Sequence, residues 1–565
     1  MSIVVHIFDD KESNSGKLLR SVSSVHGLKV SVHSTLSDIT EMVNLETAFF
    51  FISAQWLASQ ADIETLLQTL RSHDGKHIIY DWNDTKQCDA ILKTFLPRAS
   101  ISKITSSSVQ WSNTERCLSL AGLSADYASD AYVYDYDENT DSILMSMDNY
   151  PSLLETSFGS STVFLSAGIH LGELELFSST DEQEEFYLVT ISPILLFIHN
   201  FLLEYIWHTE MDLGCFILDD PPLWKTYGFV NFPKLSETVK ATGSVSISFI
   251  PWYFDKSDKG LSRMISKRHP ALSFCIHGCD HVWNEFCCST ENSALVLLEE
   301  SIKRMESFSE KHGISFDKVI VFPQGRFSLL TLKALGESEI TGAINTTLFS
   351  YGDTLEIRSV DLISPVLIRF GFPLFRRRYP SDTIGLALDG LLDRPIFYAE
   401  HHTFFRDGYS KLNKLFKKNR NAQWLTPENV ITRYYQTKKD IEGHVSVRFF
   451  SSDFSYKNNH GSSIIHFETK ATGGSPVGVS IDGNNIPFKH QNGTISFYGN
   501  VSNGTTIHII IEKEIKKAVG RYNKSWKQKL HIRQRRYLSE IRDNYISKYK
   551  PIECAYEFIR NTLRR

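Results

Sequence analysis

Short apolar runs recur along the first 125 residues, and polar stretches with helical spacing separate them. Residues 3–8, 28–32, 48–52 and 77–82 read as strands, and 63–71 as a helix. Such alternation predicts a parallel α/β layer. From about 131 to 176 the pattern turns to strands alone, SILMSM and STVFLSAGI among them, separated by turn residues. The first domain, an α/β unit with a β extension, is therefore expected over residues 1–185.

The apolar stretch 186–207 carries Pro193, His199, Asn200 and Glu204. A membrane-spanning helix needs about 20 predominantly apolar residues, so these interruptions favour burial in a core. The expectation is a strand at 186–190 and a helix starting at the Ser192 cap, with Pro193 in its first turn. Over 192–440 apolar runs return at 214–218, 246–250, 273–276, 318–322, 342–345 and 395–399, with helical segments between them. Continuous apolar strands joined by helices suggest a second α/β unit, a barrel, with any site at the strand C-termini. Residues 442–513 alternate instead, as VSVRFF, SIIHFET, TISFYG and TIHIIIE. Asp482-Gly483, Asn492-Gly493 and Asn503-Gly504 supply hairpin turns, and the segment reads as a small β-sandwich, a candidate carbohydrate binder. The tail, 514–565, is expected to be helical and basic.

Composition sharpens this outline. The 565 residues suit three or four domains, and 42% hydrophobic content leaves no case for disorder. The net charge of -5 hides a cancellation: residues 512–565 carry about +10 and the rest about -15. No general nucleic-acid field results, and the tail is expected to dock on the acidic body, or to meet a partner or an anionic surface. The eight cysteines are too sparse for a disulfide framework, and the N-terminus has no signal-peptide pattern, so a cytoplasmic chain without an integral membrane segment is expected. Asn492 and Asn500 then read as turn residues rather than glycosylation sites.

Candidate chemistry clusters in the middle unit. Asp219-Asp220 follow an apolar strand and precede two prolines. Neighbouring residues on an extended chain point in different directions, so one carboxylate can bind a metal while the other serves as general base. His277 and His281 follow another apolar strand, four residues apart, and share a face if a helical turn comes next. Two histidines and one carboxylate leave a metal position open for water, as hydrolysis requires. Further along, Val321-Phe-Pro323-Gln-Gly325-Arg326 ends a strand in a turn where backbone can approach a ligand, and a last strand ends in His401 and His402. Two similar features, Asp9-Asp10 and the His73/His77 pair, lack this company and read as surface turns.

In the order Asp-Asp, His-x3-His, Pro-x-Gly and a late strand-end His, the stretch 211–440 resembles the polysaccharide deacetylase family, carbohydrate esterase family 4. The resemblance implies a deformed (β/α) barrel, a divalent metal, preferably zinc, on Asp220, His277 and His281, and Asp219 as general base. One of His401 and His402 would protonate the leaving amine. Pro323, Gly325, Arg326 and Trp252 would line the substrate. The family's Arg before the Pro is Val321 here, so Arg326, Arg376, Arg377 or Arg378 would have to face Asp219. Its Asp/Trp motif is absent as well, leaving Asp393 or Glu400 to tune the acid.

The expected activity is removal of an N-acetyl group from a sugar in glycan or cell-surface polysaccharide synthesis. A nucleotide- or lipid-linked intermediate is the favoured partner. Deformylation or other amide cleavage is the alternative within hydrolases, and a noncatalytic metal-containing glycan-binding or assembly protein is the alternative outside them. A structural zinc site using Cys275, Cys279, Cys287 and Cys288 is a weaker competitor, because no C-x2-C pair exists.

Overall fold

The N-terminal sheet begins as foreseen. In the computed structural model, strands Lys29–His33, Val4–Phe8, Phe49–Ser53, Lys76–Tyr80 and Ser161–Ser166 pair in parallel, in that spatial order. Antiparallel strands Tyr150–Phe158, Ser142–Met147, Ser100–Trp111 and Ser124–Asp135 extend the sheet to nine. The described residues are 4–549, without 10–12, 36–48, 73, 137–141, 168–175, 178–180, 241–242, 268–270, 353–356, 462 and 474. His73 and Asp10 thus lie outside them. Their companions are not surface turn residues: His77 is fully buried against Ser161 Oγ at 3.1 Å, and Asp9 is buried, accepting from Ser13 Oγ and Tyr80 OH at 2.6 and 2.8 Å. Both sit in or at the end of interior parallel strands, where exposed polarity has no place.

The expected strand at 186–190 is instead part of one helix, Asp181–Phe201, which contains Pro193. A run that is apolar all round does not separate strand from buried helix by period, and length decides for helix. Leu188, Ile191, Leu195 and Ile198 are fully buried, joining a core shared by the N-terminal and central units. No described helix is long and apolar enough to cross a membrane.

The central sheet runs Leu367–Arg369, Phe372–Arg376, Gly342–Asn345, Asp317–Val321, Leu272–His277, Val245–Phe249, Leu213–Asp219, Ile396–Glu400. All neighbours are parallel except the first pair, and Gln423–Trp424 also pairs Leu213–Asp219. Six of these strands stand where the apolar runs put them. The pair Leu367–Arg369 and Phe372–Arg376 was not expected. No continuous ladder closes this sheet among the described residues. An isolated parallel bridge, Arg378 to Tyr398, links the chain just past Phe372–Arg376 to the last strand, with Arg378 N donating to Phe397 O and Ala399 N to Arg378 O, both at 2.9 Å.

Alternation sorts the strand side chains to two faces. Cys215, Ile217, Cys275, Val319, Val321, Ile344, Phe375 and Phe397 form one cluster, closed by Val430, Ile431 and Tyr434. Phe216, Leu218, Ile247, Phe274 and Ile276 face the helices.

The β-sandwich has sheets of five and four strands. It starts earlier than 442, since Tyr435–Lys439 pairs Val445–Phe449. Asp482-Gly483 and Asn492-Gly493 have positive φ at both positions, whereas at 503–504 only Gly504 does. The tail forms the helix Trp526–Asn544, capped by a Ser525/Gln528 box. It docks on the central unit through Tyr522 OH to Asp280 Oδ2, Lys516 to Glu337 and Tyr253 OH to Glu540, at 2.5, 3.3 and 3.0 Å. Residues 550–565 lie outside the described set.

Candidate metal centre and its cavity

The C-terminal ends of the central strands open into a cavity of about 630 Å³. Asp219 closes its strand, and Asp220 turns away from it with φ +79, a left-handed conformation that costs a non-glycine residue about 1 kcal/mol or more. The two carboxylates consequently diverge. Asp219 is gripped by Arg377 through Nη1 to Oδ1 at 2.9 Å and Nη2 to Oδ2 at 2.8 Å. Burial pushes the Asp219 carboxyl up, but the Arg377 charge outweighs it and holds the group below the ordinary range. Among the four arginines considered for this charge, Arg377 is the one that supplies it.

Asp220 Oδ1 lies 3.3 Å from His277 Nε2 and 3.1 Å from His281 Nε2. That oxygen is buried and has no hydrogen-bond partner of proper geometry. Three donor atoms converging without satisfying one another fit a cation: bonds of about 2.0–2.1 Å arranged tetrahedrally set ligand atoms about 3.3 Å apart. The group is one of two clusters with metal-ligand spacing among the described residues; the other, Asp440, Glu442 and His444, is a surface loop. Burial pulls the His281 imidazole down to about 4 against the pull of Asp220, which keeps it neutral near pH 7 with a lone pair to offer. His277 Nδ1 donates to Val321 O at 3.0 Å, which fixes Nε2 as the free nitrogen.

No helical turn brings the histidines together, as the spacing had suggested. His277 ends its strand, Gly278 takes φ +74 and His281 φ +56, so the chain doubles back. Glu285, half-buried, holds this loop: its carboxylate accepts from the backbone N–H of Cys279, Asp280 and His281 at 3.0, 2.8 and 3.0 Å. A Cβ on Gly278 would stand 2.5 Å from both Glu285 Oε2 and Pro323 Cγ. Gln324 Nε2 lies 3.3 Å from His281 Nδ1, and its Oε1 is buried without a partner. Arg536 Nη2, which can only donate, lies 3.3 Å from the same ring nitrogen.

His401 and His402 both border the cavity but differ in surroundings. His401 continues the inward sequence of Phe397 and Ala399, and its charge is among those lowering Asp219. His402 is buried, stacked on Phe229, with Nε2 3.3 Å from Asp543 Oδ1 and Nδ1 enclosed without a partner. Asp543 comes from the tail helix and also receives Tyr227 OH and Arg542 Nε. Two substitutes were foreseen for tuning the acid, Asp393 and Glu400. Asp393 lies against Asp212 and Thr209, and neither Asp393 nor Glu400 lines the cavity.

The expected substrate residues divide. Gly325 lines the cavity, and Pro323 packs beneath the histidine loop. Arg326 does not reach the cavity: it is stacked 4.1 Å from both Trp283 and Tyr351 and donates to Asn284 at 2.9 Å. Its planar cation fills the gap between two rings, and Trp283 borders the site, as do Tyr227 and Tyr379. Trp252 faces a separate cavity, covered by Lys256. Cys275 and Cys279 are buried and join no metal-ligand cluster among the described residues.

No family model matches the chain, and no curated protein matches it. Solved structures resemble it distantly. A cytoplasmic protein of Salmonella typhimurium LT2 has 10% identity over 30% of this chain and 88% of that one, with a TM-score of 0.23. A beta-galactosidase from Bacillus circulans sp. alkalophilus has 10% identity over 30% of this chain and 28% of that one, at 0.21. A cold-adapted beta-galactosidase from Rahnella sp. R3 has 12% identity over 36% and 31%, at 0.23. Likeness at this level carries no argument about function.

Proposed function

We propose that the chain is a metal-dependent amide hydrolase that removes an N-acetyl group from a sugar, on a deformed (β/α) barrel like that of the polysaccharide deacetylases. The bridge between Arg378 and Tyr398 supports the barrel reading, because it links the chain just past Phe372–Arg376 to the last strand, Ile396–Glu400. The observation that carries the function is the meeting of Asp220, His277 and His281 beside an Arg377-held Asp219 at the strand C-termini.

Asp220, His277 and His281 would hold the cation, zinc by its donor set of two imidazoles and a carboxylate. When bound, it polarises the acetyl carbonyl and acidifies water toward a pKa of about 7. The chain's own groups do the rest. Asp219, kept ionised and aimed by Arg377, accepts a proton from the attacking water. The water oxygen bonds to the acetyl carbon, the C–N bond breaks, and acetate departs. His401, as the imidazolium, gives its proton to the amine nitrogen. His402 is unsuited to that step, since one ring nitrogen faces Asp543 and the other is enclosed. It anchors the tail helix instead.

Acetate release from a panel of N-acetylated sugars, with zinc supplied, tests the reading. Asp219→Asn should lower release by about 10²–10⁴-fold with metal content unchanged. No release from any sugar, or full release by Asp219→Asn, would refute it. N-formylated sugars in the same panel separate deformylation from deacetylation.

A further inference from the structure

The tail helix brings its charges to this same cavity. Arg535, Arg536, Ser539, Arg542 and Asp543 line it, and their spacing places them along one side of the helix. The carboxylates bordering the cavity are Asp219, Asp220 and Asp543. Arg377 occupies the first, the two histidines face the second, and Arg542 and His402 share the third.

Arg535 and Arg536 are left with no carboxylate in ion-pair range among the described residues. Arg536 is 4% exposed, with its Nε buried and unpartnered, and its Nη2 donates to His281 O at 3.2 Å. Burial and the Arg536 charge pull the neighbouring Arg535 guanidinium below its ordinary value. Two adjacent guanidiniums in a half-enclosed site repel one another and lose hydration. A single carboxylate cannot answer both. A diphosphate carries two or more charges and several oxygens suited to forked donors.

We infer that this arginine face is a subsite for the diphosphate of a sugar diphosphate ester, whose N-acetyl group reaches Asp219 and Asp220. The sugar half rests on the deacetylase reading; the anion half does not. Such esters occur on nucleoside and on lipid carriers, which share the diphosphate.

Equilibrium binding to the full-length protein, stripped of metal in EDTA, separates the two halves. The probes are UDP-N-acetylglucosamine, farnesyl-diphospho-N-acetylglucosamine and free N-acetylglucosamine. At least one ester should bind about ten-fold or more tightly than the free sugar, with the advantage shrinking as salt rises. Arg535→Gln should abolish that advantage at an unchanged melting temperature, and Arg535→Lys should restore part of it. The tighter ester identifies the carrier. Equal binding of all three probes, or an advantage that survives Arg535→Gln, overturns the subsite. Because no turnover is read, failure of acetate release would refute the hydrolase reading and leave this result standing.

Discussion

Arg377 and Asp219 each have side chains 4% exposed, so neither charge has water to turn to if the other is lost. Removing one partner of such a pair leaves a buried charge and costs about 3–5 kcal/mol. Arg377→Ala should lower the unfolding free energy measured in urea by an amount in that range, and Arg377→Lys, which keeps charge but not the fork, should fall between it and wild type. Gly278 is constrained differently. Its φ of +74 disfavours any side chain, and Glu285 and Pro323 occupy the space a Cβ would enter. Gly278→Ala should displace the His281 loop, so that metal retention falls more than melting temperature does; equal retention would mean the loop adapts. Asp219, Asp220, His277 and His281 were legible because each lies at or just past the end of an apolar strand. Arg377 was only one of four candidates, because it follows the strand Phe372–Arg376, whose Pro373 and trailing arginines hide its alternation.

At the scale of elements, the helix Asp181–Phe201 fixes the joint between the first two units. His199 is buried on it, its ring 5.7 Å from His26 at the end of the first helix. Burial pulls His26 down to about 4 and His199 down to about 3, so both stay neutral in the fold. In the unfolded chain they protonate below about 6.5. Unfolding therefore takes up protons between pH 6.5 and about 3, and stability, fully present above 6.5, falls as pH drops through that window. His199→Phe should flatten the loss of urea midpoint between pH 7 and pH 5; an unchanged slope would remove His199 from the account. The tail helix is a second joint. Asp543→Ala would strand His402, Arg542 and the Tyr227 hydroxyl, and should speed proteolytic cleavage of the tail while the body stays intact. The basic tail was legible as a charge imbalance seeking an acidic body. Its entry into the cavity was not, since Asp543 and His402 meet only through tertiary docking.

For the molecule as a whole, alternation was enough to outline two α/β units, a β-sandwich and a basic tail. Period alone misread the buried helix Asp181–Phe201 as beginning in a strand, and the barrel it suggested for the central unit is matched by only one isolated bridge, Arg378 to Tyr398. The cavity joins the central unit to the tail: its candidate metal donors follow two central strands, and Arg535, Arg536 and Arg542 come from the tail helix. Asp220, His277 and His281 are the residues that would hold a metal there. Elemental analysis of the full-length protein after zinc loading and gel filtration tests it most directly, beside Asp220→Asn and His281→Gln. One zinc per chain in the wild type, and well under one in both variants with their melting curves still cooperative, is the predicted result; no retained metal in the wild type, or one equivalent retained in both variants, would contradict it.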